Sequence, residues 1–579
     1  MGKTLVIIES PGKIEKISSI LGENYTVMAS VGHITELAKG GHHGIGIDFD
    51  NNFKLNYVLM DSKVSVLSKI IEAAKSHDKI VLLCDPDREG ISIAWHIQQR
   101  LVGIDKEILS TSTNKLTKEG LKEAFSKLGE INLNIVKAQE ARRALDRIVG
   151  FVVSPFLIKT KNKNLSAGRV QSVAVRMIVD REREIENFVP EVYYTIDAAL
   201  NANGIDFMAS FNKKIKDKKQ GDLIFNKLKS SNFTVESITD DFEFKSPPAP
   251  MITSTLQQTM SSLHGFDADR TMKAAQGLYE AGLVTYIRTD CPDISEDALK
   301  DVRDYLVKNN YNIPSKPNKY KSKDSAQEAH ECIRPTYLEN DLNSGFVSLD
   351  EDQKKTYDVI LKYFVASQAL PAKYSTRKLI LKSNADEELK LKSSGKCLVE
   401  TNFMDILELK DNSKIEIPNL KEGDLVNLSN SESIVLEKKK TNPPARYNLA
   451  KLIKELDNKG IGRPSTYAEI LTRIESRNYV ERKNNVYYPT ELGKEVTDEL
   501  KNHFSFMDYD FTSKIEEELD KVAAGKLTYL EMLNSFYPNF IKEINSAYIK
   551  SNIPLCPKCN SPLAQKNGQS FCSNYRKCR

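Results

Sequence analysis

The sequence predicts a multidomain protein of α/β and α+β class, opening with a parallel α/β domain, continuing through helical and β-rich domains and closing on a zinc ribbon. Three observations carry that prediction. "KTLVIIES" and "DKIVLLCDPDREG" are continuous apolar runs ending in acidic residues, the pattern of strands covered on both faces. Alternating, β-rich stretches begin near Tyr193 and return from about Ser375 to Leu436. Cys556, Cys559, Cys572 and Cys578 are bunched at the C-terminal end with the spacing C-x2-C-x12-C-x5-C. At 579 residues the chain exceeds what one core can hold, and length alone suggests about four domains.

Between the two apolar runs, "VSVLSKIIEAAKS" has helical spacing, and "ISIAWHIQQRL" follows the acidic cluster as a second helix. Strand, helix, strand, helix is a doubly wound pattern, in which ligands bind beyond the carboxyl ends of the strands. Glu9, Asp85, Asp87 and Glu89 all fall at that edge, so they can meet although Glu9 is distant in sequence. "IVKAQEARRALDRIVGF" is helical, with Ile135, Ala138, Leu145 and Ile148 on one side and Arg143 and Arg147 one turn apart on another. "NKNLSAGRVQSVAVR" starts as a loop and enters a helix near Ser166. The two β-rich stretches flank helical segments that begin around Ser254, an order compatible with one β domain interrupted by an insertion. "KKKTNPPAR", residues 438–446, reads as a linker, with helices from there to about Lys550.

Composition excludes some classes. No apolar run of the ~18 residues needed to cross a bilayer occurs. "MGKTLVIIES" lacks the cleavable apolar stretch of a signal peptide, so a cytoplasmic protein is expected. Net charge is only +4, but its distribution is uneven. Val136 to Arg181 holds ten Lys/Arg against three Asp/Glu, and Ser551 to Arg579 holds five against none. Basic regions inside a near-neutral chain suit contact with a polyanion, although a solvated face produces the same pattern. Cys84, Cys291, Cys332 and Cys397 are scattered, as reduced buried thiols would be. The four bunched cysteines suit tetrahedral Zn²⁺, which would supply the stability that so short a tail cannot obtain from a core.

The chemistry concentrates in "CDPDREG". Asp85, Asp87 and Glu89 offer only charged oxygens, the donor set of a hard cation, and Mg²⁺ is the intracellular candidate. Mg²⁺ takes one or two carboxylates together with phosphate oxygens, so the cluster reads as a phosphate-handling site. The bland alternative is a local Asp87–Arg88 charge pair capping the helix from Gly90. Spacing alone leaves cleavage, polymerisation and strand transfer open. No G-x-x-x-x-G-K-[ST] occurs, so nothing signals a P-loop nucleotide site. Reversible cleavage without nucleotide would have to conserve bond energy covalently, which requires a nucleophile. Tyr286 in "GLVTYIRTDC" is the candidate, with Arg288 placed to steady a phosphate. A tyrosine between Val284 and Ile287 is otherwise an ordinary core or strand residue. His330 in "AQEAHECIRPT" is a further proton or phosphate partner, though a lone histidine is usually structural.

Eight motifs in order, "VIIESPGKIEKI", "SVGHITEL", "CDPDREG…IAWH", "AQEARRALDRIVGF", "SAGRVQSVAVR", "LVTYIRTD", "QEAHECIRPT" and "GIGRPSTYAEI", resemble those of the type IA DNA topoisomerases, in details the bacterial topoisomerase I type. The resemblance covers essentially the whole chain. It implies an N-terminal TOPRIM α/β domain, helical and β-rich domains forming a torus around DNA, and a C-terminal zinc ribbon. On that template the TOPRIM domain takes residues 1–135, with an insertion at about 37–63. A helical groove domain takes 136–187 with 446–550, a β-rich arch takes 188–248 with 371–445, the tyrosine domain takes 249–370, and the ribbon takes 551–579. The implied activity is ATP-independent relaxation of negatively supercoiled DNA by a monomer associated with the nucleoid. One strand would be cut through a 5′-phosphotyrosine, the other passed through the gap, and the break resealed.

The matching positions take roles from the resemblance. Tyr286 is the implied nucleophile, and Glu9 the acid beside the scissile phosphate and a metal ligand. Asp85 and Asp87 are Mg²⁺ ligands, with Glu89 in the same cluster or in an outer position. Lys13 and Arg288 stabilise the reacting phosphate, and His330 lies near the nucleophile. His33, Arg142, Arg143, Asp146, Arg169, Gln171, Arg463, Thr466 and Arg477 line the strand groove, and the loop Ser166, Ala167, Gly168, Arg169, Val170, Gln171 contacts that strand. Some positions depart from the pattern. Ile91 and Ser92 replace the usual Glu-Ala, for which an altered helix start is expected. Asn448, Leu449 and Lys451 stand where Thr, Glu and Ser are common, leaving that helix start open. Asn478 stands where Gly is usual, as the next most tolerant of left-handed backbone. Arg576 replaces a frequent Pro, and one ribbon is expected where many relatives carry several.

Overall fold

The computed structural model describes residues 3–39, 45–161, 165–322, 331–339, 349–414, 416–430, 432–558, 562–566, 569–572 and 578. The first apolar runs form a four-stranded sheet in the order Tyr25–Ala29, Thr4–Ile8, Lys79–Cys84, Glu107–Ser112, with every pair parallel. Helices Ile14–Leu21, Val64–Ser76 and Arg88–Arg100 supply the three crossovers, and Lys118–Ser126 follows the last strand. Strand alternation divides the apolar residues between two cores. Leu5, Ile7, Ile80 and Leu82 face helices Val64–Ser76 and Arg88–Arg100. Val6, Ile8, Val81 and Leu83 share the opposite core with Leu278, Val284 and Ile287 from the segment that carries Tyr286. The doubly wound sheet is thus covered on one face by its own helices and on the other partly by a distant part of the chain.

The β-rich stretches build one antiparallel sheet of seven strands. Their order is Ile205–Phe211, Lys390–Glu400, Ala372–Ser383, Phe233–Lys245, Leu425–Leu428, Val192–Ala202, Ile434–Lys440. Ile205–Phe211 also pairs with Val192–Ala202, closing six strands into a ring around Leu200, Phe233, Leu381 and Val426. Closure removes the edges these six strands would otherwise leave, while the seventh, Ile434–Lys440, stays at an edge beside Val192–Ala202. Phe233–Lys245 and Ala372–Ser383 pair along their length, with Lys245 opposite Ala372. Residues 246–371 therefore leave and re-enter the sheet at neighbouring positions, as an insertion hung from a two-stranded stalk.

Two expectations for the C-terminal half are corrected. Lys438, Lys439 and Lys440 are not linker but the end of a strand opposite Tyr194, Tyr193 and Val192; a run of lysines is compatible with an edge strand whose side chains reach water. The helices to Lys550 are interrupted by a hairpin, Val480–Lys483 with Val486–Pro489. Its two turn residues, Asn484 and Asn485, have φ of 50° and 61°, the left-handed pair a two-residue hairpin needs. Elsewhere, Asn448 caps helix Leu449–Asn458 by accepting from the Lys451 N–H at 2.8 Å. Asn478 has a φ of 56°. The largest core joins the 29-residue helix Leu133–Lys161 to Arg169–Glu186, Tyr467–Ser476, Tyr509–Ala523 and Tyr529–Lys550. The helix expected near Ser166 starts at Arg169, leaving Ser166 and Ala167 outside it and Gly168 extended as its cap.

Candidate active site

Glu9 leaves the carboxyl end of Thr4–Ile8, and its carbonyl accepts from the Gly32 N–H at 3.1 Å. The turn that allows this holds Val31 and Gly32 at φ of 58° and 81°, a strained choice for a β-branched residue. "CDPDREG" follows the neighbouring strand. Asp87 caps helix Arg88–Arg100, its Oδ1 accepting from the Gly90 N–H at 2.7 Å. Gly90 admits no side chain, since a Cβ there would sit 2.6 Å from the Asp85 carbonyl oxygen. Helix capping is therefore real for Asp87. Arg88 is not its local partner, because the Arg88 guanidinium pairs with Asp520.

Tyr286 reaches this edge from the inserted segment, with its backbone N–H donating to the Asn114 carbonyl at 2.7 Å. Its phenol donates to Asp87 Oδ2 at 2.5 Å across 199 positions of sequence, and the residue is only 4% exposed. Arg288 lies 3.1 Å from Glu89 Oε2 and 3.5 Å from Asp87 Oδ2. His33 Nε2 stands 3.5 Å from Glu89 Oε1. Lys13, 3% exposed, is ion-paired with Asp85 Oδ1 and sits 4.6 Å over the ring of Tyr279. His330 falls outside the described residues.

Burial and crowding set the protonation of the cluster. Burial, then the Asp85 and Asp87 carboxylates, push Glu9 up from its ordinary value to about 8. Burial also raises Asp85, against the pull of Lys13. Glu89 moves the other way, to about 2, through its hydrogen bond from His33 and the nearby Arg288. The Tyr286 phenol is raised well above its usual range by burial and Asp87. Glu9 and Asp85, crowded with Asp87, are thus pushed toward their protonated forms, a demand for positive charge that a cation would meet, whereas Glu89 is already compensated by His33 and Arg288. That donor set fits Mg²⁺ on the first three with Glu89 outside. Among the described residues, only the C-terminal cysteines bring three such ligand atoms within 4.8 Å. The wider spacing of the carboxylates fits a cation that completes its shell with water and phosphate oxygens.

At the C-terminus Cys556, Cys572 and Cys578 converge, with 3.5 Å between the Sγ atoms of Cys556 and Cys578. Four thiolates at 2.3 Å around Zn²⁺ would stand about 3.8 Å apart. Cys559, the fourth expected ligand, lies outside the described residues.

A cavity of about 660 Å³ opens from the acidic cluster into the helical region. Arg142, Arg143, Asp146, the stretch Ser166 to Gln171, Arg288, Arg463, Thr466 and Arg477 all line it; His33 does not. Sequence reasoning missed Arg88, Arg147, Phe151 and Arg473, which join the lining. It also missed the carboxylate behind the wall. Glu516 accepts from Arg169 at 2.9 Å and has Arg142 and Arg463 each 3.8 Å away. Arg169 is 1% exposed and also bonds Asp146 at 3.1 Å, so its guanidinium fixes the loop from behind. The missed signal was periodicity: Glu516 lies on the buried stripe Thr512, Ile515, Leu519, Val522 of its helix.

With this geometry in view, comparison with known proteins is decisive. A family described as DNA topoisomerase matches residues 130–534, and the Toprim domain matches residues 4–140. DNA topoisomerase 1 of Pseudomonas aeruginosa is 37% identical, with the match covering 99% of this chain and 72% of that protein. DNA topoisomerase 1 of Escherichia coli is 38% identical, over 94% of this chain and 67% of that protein. The full-length topoisomerase I structure from Thermotoga maritima superposes with a TM-score of 0.79 at 30% identity, covering 98% and 96% of the two chains. The fold, the acidic sheet edge facing a tyrosine and the arginine-lined cavity agree with these matches: the chain belongs to the bacterial type IA DNA topoisomerases, which relax supercoiled DNA through single-strand cleavage.

Proposed function

We propose that this chain relaxes negatively supercoiled DNA without nucleotide, using Tyr286 as nucleophile and Mg²⁺ at the TOPRIM edge. The observation that carries this reading is the Tyr286 phenol held 2.5 Å from Oδ2 of Asp87, an acid that itself lines the arginine-lined cavity. A single strand lies in that cavity, its phosphates held by arginines and its bases free to stack on Phe151. The Tyr286 oxygen attacks the phosphorus and its proton passes to the Asp87 carboxylate that already accepts it. The bond from phosphorus to the 3′ oxygen breaks, leaving a 5′-phosphotyrosine. Glu9, which holds a proton near neutral pH, is placed to give it to the departing 3′ oxygen. Arg288 and Lys13 offset the charge that grows on the phosphate. Attack by the 3′-OH reverses these transfers, so the bond energy is conserved and ATP is not required.

When bound by Glu9, Asp85 and Asp87, Mg²⁺ would supply positive charge that holds the phosphate and the 3′ end for rejoining. Zn²⁺ held by Cys556, Cys559, Cys572 and Cys578 would fold a basic ribbon that contacts DNA. His330 is retained as a partner near the nucleophile, and the protein acts as a monomer in the cytoplasm, on the nucleoid. Among the described residues no helix is long and apolar enough to cross a membrane. The test is a relaxation assay on negatively supercoiled plasmid with Mg²⁺. Tyr286→Phe should abolish both relaxation and covalent capture of a single-stranded oligonucleotide. Retained activity would transfer the chemistry to the acidic cluster alone, as in a TOPRIM nuclease.

A further inference from the structure

Helix Ala268–Glu280 of the inserted segment carries a tyrosine that the reaction as described does not use. Tyr279 is fully buried, at 0% exposure, yet its hydroxyl is satisfied entirely by the facing α/β domain. It donates toward Asp85 Oδ1 at 3.3 Å and the Thr113 carbonyl at 3.2 Å. The Lys13 ammonium stands 4.6 Å over its ring and pairs with the same Asp85 oxygen. The ring edge packs against the Tyr286 ring, with centroids 5.3 Å apart and planes at 69°. One side chain therefore touches the nucleophile, a phosphate-binding cation and a metal-binding carboxylate.

Apart from the ring contact with Tyr286, these contacts cross between the inserted segment and the TOPRIM domain. The other hydrogen bonds that do so nearby are Tyr286 to Asp87 at 2.5 Å, Arg288 to Glu89 at 3.1 Å, Ser10 to Glu280 at 2.5 Å, Tyr286 N–H to the Asn114 carbonyl at 2.7 Å, and Asn114 to Glu331 at 2.9 Å. Passing a strand through the break requires this interface to part, and parting removes the Tyr279 hydroxyl from Asp85. Two donors, Lys13 and Tyr279, share Asp85 Oδ1 when the segment is docked, which leaves the second oxygen for a cation. We propose that Tyr279 is a positioning residue that orients Asp85 for Mg²⁺ only when the tyrosine-bearing segment is docked, so that the rejoining site is completed by closure of the gate. The inference rests on the assignment of Tyr286 as nucleophile and of Asp85 as metal ligand. It makes rejoining, rather than cutting, depend on the docked state.

The test uses the full chain and Tyr279→Phe, which removes one oxygen and keeps the ring under Lys13 and against Tyr286. Covalent complexes are formed on a single-stranded oligonucleotide without added metal, then rejoined across a Mg²⁺ titration. The Mg²⁺ concentration for half-maximal rejoining should rise about tenfold, the effect of losing one hydrogen bond to a charged acceptor. Mg²⁺ binding by the protein alone, read by calorimetry without DNA, should weaken in parallel, while metal-free cleavage stays within about twofold of wild type. Superimposable Mg²⁺ curves would overturn the proposal. So would an equal loss of metal-free cleavage and rejoining, which is the mark of a merely structural residue. In the Asp85→Asn background, Tyr279→Phe should add nothing further; additive losses would show that Tyr279 does not act through Asp85. Tyr286→Phe, run alongside, separates the two claims: if it still forms covalent complexes, the nucleophile assignment falls before the coupling is tested.

Discussion

Two buried glutamates, Glu9 at the sheet edge and Glu516 behind the groove wall, are driven to opposite protonation states. Burial opposes the charged form of both. Around Glu9 the nearest charges are mainly carboxylates, and its pKa climbs to about 8. Around Glu516, Arg142, Arg169 and Arg463 outweigh the burial and hold it down at about 2. The sign of the neighbours decides which way the same side chain goes. One region keeps a proton and an unmet demand for a cation, as a reacting site requires. The other satisfies itself internally, as a scaffold requires.

The largest effect should come from removing the carboxylate proposed to hold Mg²⁺ without touching the acid that takes the Tyr286 proton. Asp85→Ala should reduce relaxation on the order of a hundredfold. Rejoining of a preformed covalent complex should suffer more than the initial cut; a selective loss of cleavage would give the cation a larger part than is assigned here. Breaking the second region should appear as instability. Glu516→Gln leaves three guanidinium groups around a neutral amide, and breaking a buried ion network costs about 3–5 kcal/mol. The urea midpoint and affinity for a single-stranded oligonucleotide should fall together.

Acid sharpens the contrast further. Because folding lowers the pKa of Glu516 from its ordinary value of 4.5 to about 2, its stabilisation is present above roughly pH 4.5 and fades as pH falls toward 2. Urea midpoints compared at pH 7 and pH 3.5 should show less acid loss in Glu516→Gln than in wild type. An equal loss in both would deny the arginines their role. The smallest effect belongs to the adjacent Glu517, which is exposed. Glu517→Gln should change stability by less than about 0.5 kcal/mol, showing that position on the helix rather than its acidity matters.

Much of the first region was legible in the sequence. Apolar runs that end in Glu9 and Asp85 specify strands and the edge at which those acids must emerge. Capping by Asp87 was readable there only as the bland alternative, and the need for Gly90 came from the close approach of the Asp85 carbonyl. The groove was legible as a set of arginines, and the cavity lining gathers nearly all of them. Their division of labour was not. Arg169 and Arg477 look equivalent as sequence, yet Arg169 is sealed against Asp146 and Glu516. In "KIEEELDK" three consecutive glutamates look like a solvated face, and only the packing of that helix selects Glu516 for burial.

By itself the sequence determined the elements, because apolar periodicity, caps and turn residues act within a few positions of the chain. It also determined the chemical kinds of residue available, acids at a sheet edge, a tyrosine beside an arginine and four clustered thiols. Tertiary structure decided which of them meet. The Tyr286 phenol lies 199 positions from Asp87, and the contact between them depends on a stalk that returns the inserted segment to the TOPRIM sheet. Desolvation and the charges of neighbours depend on that assembly as well. This is why Glu9 and Glu516, the same residue in sequence, become a proton holder and an ionised anchor in the folded protein.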